Sequence, residues 1–109
     1  MKKISILAVF ATMLLFASCK EDGTDVDCST VTFSGTIFPL VDQNCNTAGC
    51  HAAGTQNPEF STYEQIKAMV DNGNLKKQVL DDRTMPPNGS LSNTELAEIQ
   101  CWLDAGAPE

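Results

Sequence analysis

The sequence predicts an all-α domain of about four short helices. Apolar residues recur three and four apart in four separate stretches between residues 33 and 103, the spacing that gathers them on one face of a helix. No stretch shows the sustained alternation that a half-buried strand requires. Two of the four stretches also open on a Ser-x-x-Glu pattern, in which a hydroxyl and a carboxylate satisfy backbone donors that a helix start leaves over.

In chain order, Phe33, Ile37, Leu40 and Val41 predict a first helix over about residues 34–44. Pro39 lies inside it and makes its start irregular or late, because proline has no N–H for the preceding turn. The box Ser61-Thr62-Tyr63-Glu64 opens a second helix, with Ile66, Met69 and Val70 as its stripe and Gly73 as its stop. A short third helix over about 75–81 carries Leu75, Val79 and Leu80. The box Ser92-Asn93-Thr94-Glu95 opens the last helix, whose stripe is Leu96, Ile99, Trp102 and Leu103 and whose end is marked by Gly106 and Pro108. A domain of about 80 residues buries too little apolar surface to be robust alone. Something other than side chains is expected to complete the core.

The N-terminal region has a different character. Met1-Lys2-Lys3 and the uncharged, mostly apolar run from Ile4 to Ala17 read as a secretory signal over residues 1–18. The run falls short of the roughly 20 residues of a comfortable membrane span. Ala17-Ser18-Cys19 resembles the end of a bacterial lipoprotein signal, which implies an acylated Cys19 as the first mature residue. Ordinary cleavage nearby would instead leave Cys19 as a free thiol. Lys20–Asp27 is acidic and poor in large apolar groups, so residues 19–31 are expected to form a flexible tether. The folded domain is placed over 32–109, outside the cytoplasm.

One motif carries chemistry. Cys45-Asn46-Thr47-Ala48-Gly49-Cys50-His51 reads C-x4-C-H, and His51 is the only histidine. Two cysteines followed directly by histidine are how a c-type haem is attached: the thiols add to its vinyl groups and the imidazole becomes the proximal iron ligand. The usual spacing has two residues between the cysteines. The two additional ones widen the loop, and Gly49 eases its backbone. Two plainer readings stand beside this one. Cys45 and Cys50 can close a small disulfide loop, or serve with His51 as zinc ligands, although no second Cys/His cluster is present to complete a zinc site.

The five cysteines then sort by role. Cys19 takes the lipid, Cys45 and Cys50 take the haem, and Cys28 and Cys101 remain. At 100° per residue from Leu96, Cys101 falls almost opposite the centre of the last helix's apolar stripe. An unpaired thiol there would be a liability in an oxidising compartment, and a bridge to Cys28 removes it. An intermolecular bridge, or burial of Cys101 by other contacts, are the competing readings.

An iron held by His51 needs a second axial ligand for simple electron transfer, and no second histidine exists. Of four methionines, Met1 and Met13 leave with the signal and Met69 sits on a helix stripe, where it is a fallback ligand. Met85 remains, in Arg83-Thr84-Met85-Pro86-Pro87-Asn88-Gly89. Its two prolines keep the segment out of a helix, and Asn88-Gly89 supplies a turn before the last helix. The plain alternative is a methionine packed under a loop.

The order of haem-attachment motif, helices, Met-Pro-Pro loop and C-terminal helix resembles a small class I cytochrome c over about Phe33 to Ala107. The C-x4-C-H motif and the ending Trp102-Leu103-Asp104-Ala105-Gly106-Ala107-Pro108 are similar to cytochrome c domains of Bacteroidetes lipoproteins. The resemblance implies about four short helices around one covalently attached haem c. It also implies an N-terminal helix packed on the C-terminal one and iron ligation by His51 and Met85.

The formal charge is −7, and removal of Lys2 and Lys3 with the signal makes it −9. So negative a chain will not bind nucleic acid electrostatically. It is expected to meet a redox partner through a basic docking face, while the Cys19 lipid holds it in the envelope of a Gram-negative bacterium, periplasmic or at the outer-membrane surface. With its one histidine committed, the chain is read as an electron carrier and not an enzyme, though it could serve as the auxiliary subunit of an oxidoreductase. Two other classes stay open: a haem-based sensor or ligand-binding module, and a haem-free, disulfide-stapled interaction lipoprotein.

Overall fold

The structure, a computed structural model, describes residues 25–89 and 91–109. The expected signal, Cys19 and the first part of the tether lie outside them. The described residues form helices and turns, and none forms a strand. None of these helices is long and apolar enough to cross a membrane.

Part of the span expected as a tether, 19–31, is structured. Asp27 accepts hydrogen bonds from Ser29 N–H and Ser29 Oγ, at 3.0 and 2.6 Å, and caps a short 3-10 turn at Cys28–Thr30. Thr32 is extended, and its Oγ1 accepts from Gly35 N–H to start a single π-helical turn at Phe33–Ile37. Only then does α1 (Phe38–Asn44) begin, with Pro39 in its first turn. The delay follows from Pro39, which has no N–H to give to the carbonyl one turn back. Five-residue bonds, such as Phe38 N–H to Phe33 O, take over there.

The second helix, α2 (Tyr63–Asp71), starts one residue later than its Ser61-to-Glu64 pattern suggests. The cap is Thr62 and its partner is Gln65. Gln65 Oε1 accepts from both Ser61 N–H and Thr62 N–H, at 2.8 and 3.0 Å. Two overlapping boxes compete here, and the one that satisfies two donors with one amide oxygen is formed. The helix ends as expected, with Gly73 left-handed at φ +79° just past the cap.

The third segment is helical but not α: Lys76–Asp81 is a π-helix. Its ladder brings residues five apart onto one face. Lys76 and Lys77 accordingly pair with Asp81 and Asp82, the first pair at 2.7 Å.

The last helix, α3 (Asn93–Asp104), opens on the Ser92–Glu95 box and buries Leu96, Ile99 and Trp102. Its end is doubly tied. Gly106 N–H bonds Leu103 O and Ala107 N–H bonds Trp102 O, the paired pattern that closes helices on a left-handed residue. Trp102 Nε1–H then donates to Pro108 O and Tyr63 O–H to Ala107 O, both at 2.8 Å. Cys101 is half-buried and bridged to Cys28, with Cα atoms 5.2 Å apart. The bridge fixes the 3-10 turn at Cys28–Thr30 to the last helix.

The core joins the two ends of the domain. Phe33 lies 5.8 Å from the Trp102 ring, 5.0 Å from Tyr63 in edge-to-face contact and 5.7 Å from Phe38. Ile37, Leu40, Val41, Phe60, Ile66 and Ile99 complete it. The π-helical turn before α1 thus packs on α3, and the residues between them curve round a hollow.

Candidate functional site

The hollow is a cavity of about 710 Å³, within the roughly 300–1,000 Å³ typical of small-molecule and cofactor sites. Its wall draws on α1, the C-x4-C-H loop, α2, the π-helical segment, the Met85 loop and α3. Cys45, Cys50, His51 and Met85 all contribute to it, and so does Met69. Among the described residues, no Asp, Glu, Lys or Arg does. In a chain with fourteen acidic residues, an uncharged wall marks the place where an apolar body can sit.

The motif loop is built by main-chain bonds. Cys45 caps α1 through its N–H to Val41 O at 2.8 Å, and His51 N–H returns to Cys45 O at 3.0 Å. Gly49 takes φ +81°, a left-handed conformation that costs glycine little, and a side chain there would meet nothing. The Cys50 carbonyl accepts from Thr55 Oγ1 and Asn57 Nδ2, both at 2.9 Å. Both motif thiols are free and half-buried. Burial, and secondarily the neighbouring Cys50, pushes the Cys45 thiol up to about 11, so it carries its proton at neutral pH.

His51 is held on two sides. Its Nδ1 lies 2.6 Å from Pro58 O. A carbonyl can only accept, which puts a proton on Nδ1, so that in the neutral ring Nε2 is the nitrogen with the lone pair. The ring also stacks on Phe60, with centroids 4.0 Å apart and planes within 7°. The peptide Phe60 N–H to His51 O, at 3.0 Å, locks the two segments together. This second layer, Pro58 and Phe60, has no counterpart among the sequence motifs. A ligand-orienting backbone carbonyl leaves no side-chain signature.

Met85 is 37 % exposed, and no other large apolar residue among those described is as exposed. Its loop hangs from one acceptor: Thr84 N–H and Met85 N–H both donate to Gln78 O, at 2.8 and 3.1 Å. Pro86 beside it is buried, and Gly89 N–H to Pro86 O closes the turn at 2.9 Å.

The donor set fits a haem. Two unbridged thiols and a nitrogen with a fixed lone pair share an uncharged cavity with a thioether. No three His, Cys, Asp or Glu side chains among the described residues are grouped to hold a bare metal ion. Comparison with protein-family models, with curated proteins and with solved structures found no match.

Proposed function

We propose that this chain is a monohaem c-type cytochrome, a one-electron carrier of class I architecture held at the bacterial envelope through a lipid on Cys19. The observation that carries the reading is the convergence of Cys45, Cys50, His51 and Met85 on one uncharged cavity, with the His51 ring oriented by Pro58 and Phe60. A haem attached here supplies an iron that cycles between ferrous and ferric.

The chain's own residues do the rest. Cys45 and Cys50 would hold the haem through thioethers, each S–H adding across one vinyl double bond. His51 offers Nε2 while Pro58 O holds the opposite nitrogen's proton. Met85 offers a thioether, which raises the reduction potential relative to a second imidazole. Leu40, Ile66, Val79 and Ile99 give the cavity apolar lining. The acidic surface steers the carrier toward a basic face on its redox partner, free-standing or part of a larger oxidoreductase.

The test is a reduced-minus-oxidised visible spectrum of the protein matured with cytochrome c assembly, repeated after acid-acetone extraction and on Met85→Ala. Colour that stays with the polypeptide and a red band that depends on Met85 are expected. Colour that extracts, or never forms, defeats the proposal. The exposure of Met85 favours one second reading, a haem module that admits a small gas when the thioether leaves. Carbon monoxide binding to the ferrous wild type, as readily as to Met85→Ala, would select it.

A further inference from the structure

We infer that the cavity holds the two carboxylates of its haem with uncharged amides, Gln78 and Asn88 foremost with Asn74, and with no cation. This rests on the proposed haem and names the residues that meet its polar edge.

The inference starts from what the wall lacks. A haem brings two ionisable carboxylates wherever it binds, and burial of an anion needs partners. Lysine or arginine would be the usual means, but among the described residues neither lines the cavity. The described lysines are engaged elsewhere: Lys67 with Asp71, Lys76 with Asp81 and Lys77 with Asp82. Arg83 is exposed and outside the wall. Asp42, Glu59 and Glu98 flank wall residues in the chain without joining the wall, and Glu95 reaches it only by accepting from Asn44 Nδ2 at 3.5 Å, so the described charge nearest the wall is an acid and not a cation.

What the wall has is amides. Of those nearest the attachment loop, Gln43 is exposed and two others are already used. Asn44 Nδ2 donates to Leu40 O, at 2.9 Å, and Asn57 Nδ2 to Cys50 O. Farther along the chain, Asn74 precedes the π-helical segment, Gln78 lies within it and Asn88 lies in the turn after Met85. Among the described residues, no hydrogen bond ties these three side chains to Gln43 or to any other amide of the wall. An amide N–H donating to a carboxylate makes a charge-assisted bond, stronger than a neutral pair.

Gln78 has a second engagement. Its carbonyl already carries the Met85 loop. A carboxylate bound to its side chain would fix the same residue that positions the expected distal ligand.

The test uses the mature, haem-loaded protein and its reduced-minus-oxidised infrared spectrum. Gln78→Leu and Asn88→Leu are each expected to shift the carboxylate stretching bands, while Arg83→Gln leaves them in place. Asn88→Leu lies on an exposed turn and keeps the test readable if Gln78→Leu disturbs the π-helix. Bands unmoved in both leucine variants, or moved by Arg83→Gln, overturn the inference. Loss of the covalent chromophore in the wild type would instead overturn the haem proposal, so the two failures are distinguishable.

Discussion

Replacing both Cys28 and Cys101 by alanine should cost this domain a large share of its stability, and almost all of the loss should come through the unfolded chain. The bridge spans 73 positions. The chain-entropy relation gives a loop of that length about 4 kcal/mol at 25 °C. In the folded state the change removes only the packing of the half-buried Cys101, because Cys28 is exposed. With a urea slope of roughly 1–3 kcal/mol per molar, the unfolding midpoint should fall by about 1.3–4 M. The slope itself should rise, since an unbridged unfolded chain exposes more surface. The assay is urea unfolding followed by fluorescence of Trp102, with both proteins matured alike so that any cofactor contributes equally. A loss below about 1 kcal/mol, set against the 4 kcal/mol of the loop model, would refute the entropic argument. Dimers on a non-reducing gel would show that the bridge joins two chains.

Three further outcomes follow from particular residues. Thr62→Ala should destabilise α2 by about 1 kcal/mol, while Ser61→Ala should not weaken the cap, because Thr62 is the capping hydroxyl; thermal unfolding of the two variants separates them. The haem-free folded chain should lose stability as pH rises from 9 to 11. Burial lifts the Cys45 thiol from 9.0 to about 11, so over that window the unfolded chain has released a proton that the folded chain keeps. The loss should approach about 2–3 kcal/mol, be fully absent below pH 9, and vanish in Cys45→Ala or once the thiol is a thioether. Association with a basic redox partner, followed by stopped-flow, should slow as salt is added, and a rate indifferent to ionic strength would remove the acidic surface from the account.

The apolar spacing of the chain carries most of the helix positions, and the physics of each miss is specific. Leu96, Ile99 and Trp102 are buried as their stripe predicts, and Gly73 and Gly106 end their helices in the left-handed region. The cap of α2 moves by one residue because Ser61-Thr62-Tyr63-Glu64-Gln65 holds two overlapping boxes, and side-chain pattern cannot rank them. The π-helical geometry at Phe33–Ile37 and Lys76–Asp81 is invisible to a wheel drawn at 100° per residue. One trace of it is present: Lys76-Lys77 and Asp81-Asp82 are five apart, a spacing that faces across a π-turn and not across an α-turn. The pairing of Cys28 with Cys101 is legible from cysteine roles and the helix face. The amide-lined wall, without Asp, Glu, Lys or Arg among the described residues, is not, because its residues come from seven separate segments.

The least legible features are also the ones that most constrain the site. Both expected iron ligands are positioned by main-chain carbonyls: Pro58 O fixes the His51 tautomer, and Gln78 O suspends the Thr84–Met85 peptide. A carboxylate in either place would titrate and would respond to a change of charge at the iron. A carbonyl is a fixed dipole that accepts at any pH. For a carrier whose iron alternates between two charges, such partners would hold ligand geometry constant and add no ionisable group of their own. The Pro58 carbonyl is itself firmly placed, since proline restrains φ and the Phe60 N–H to His51 O bond returns the chain within two residues. Phe60→Ala should therefore loosen His51 without touching its hydrogen bond to Pro58. The expected readout is a broadened ferric spectrum at unchanged haem content, and an unaltered spectrum would mean that Pro58 alone sets the ring.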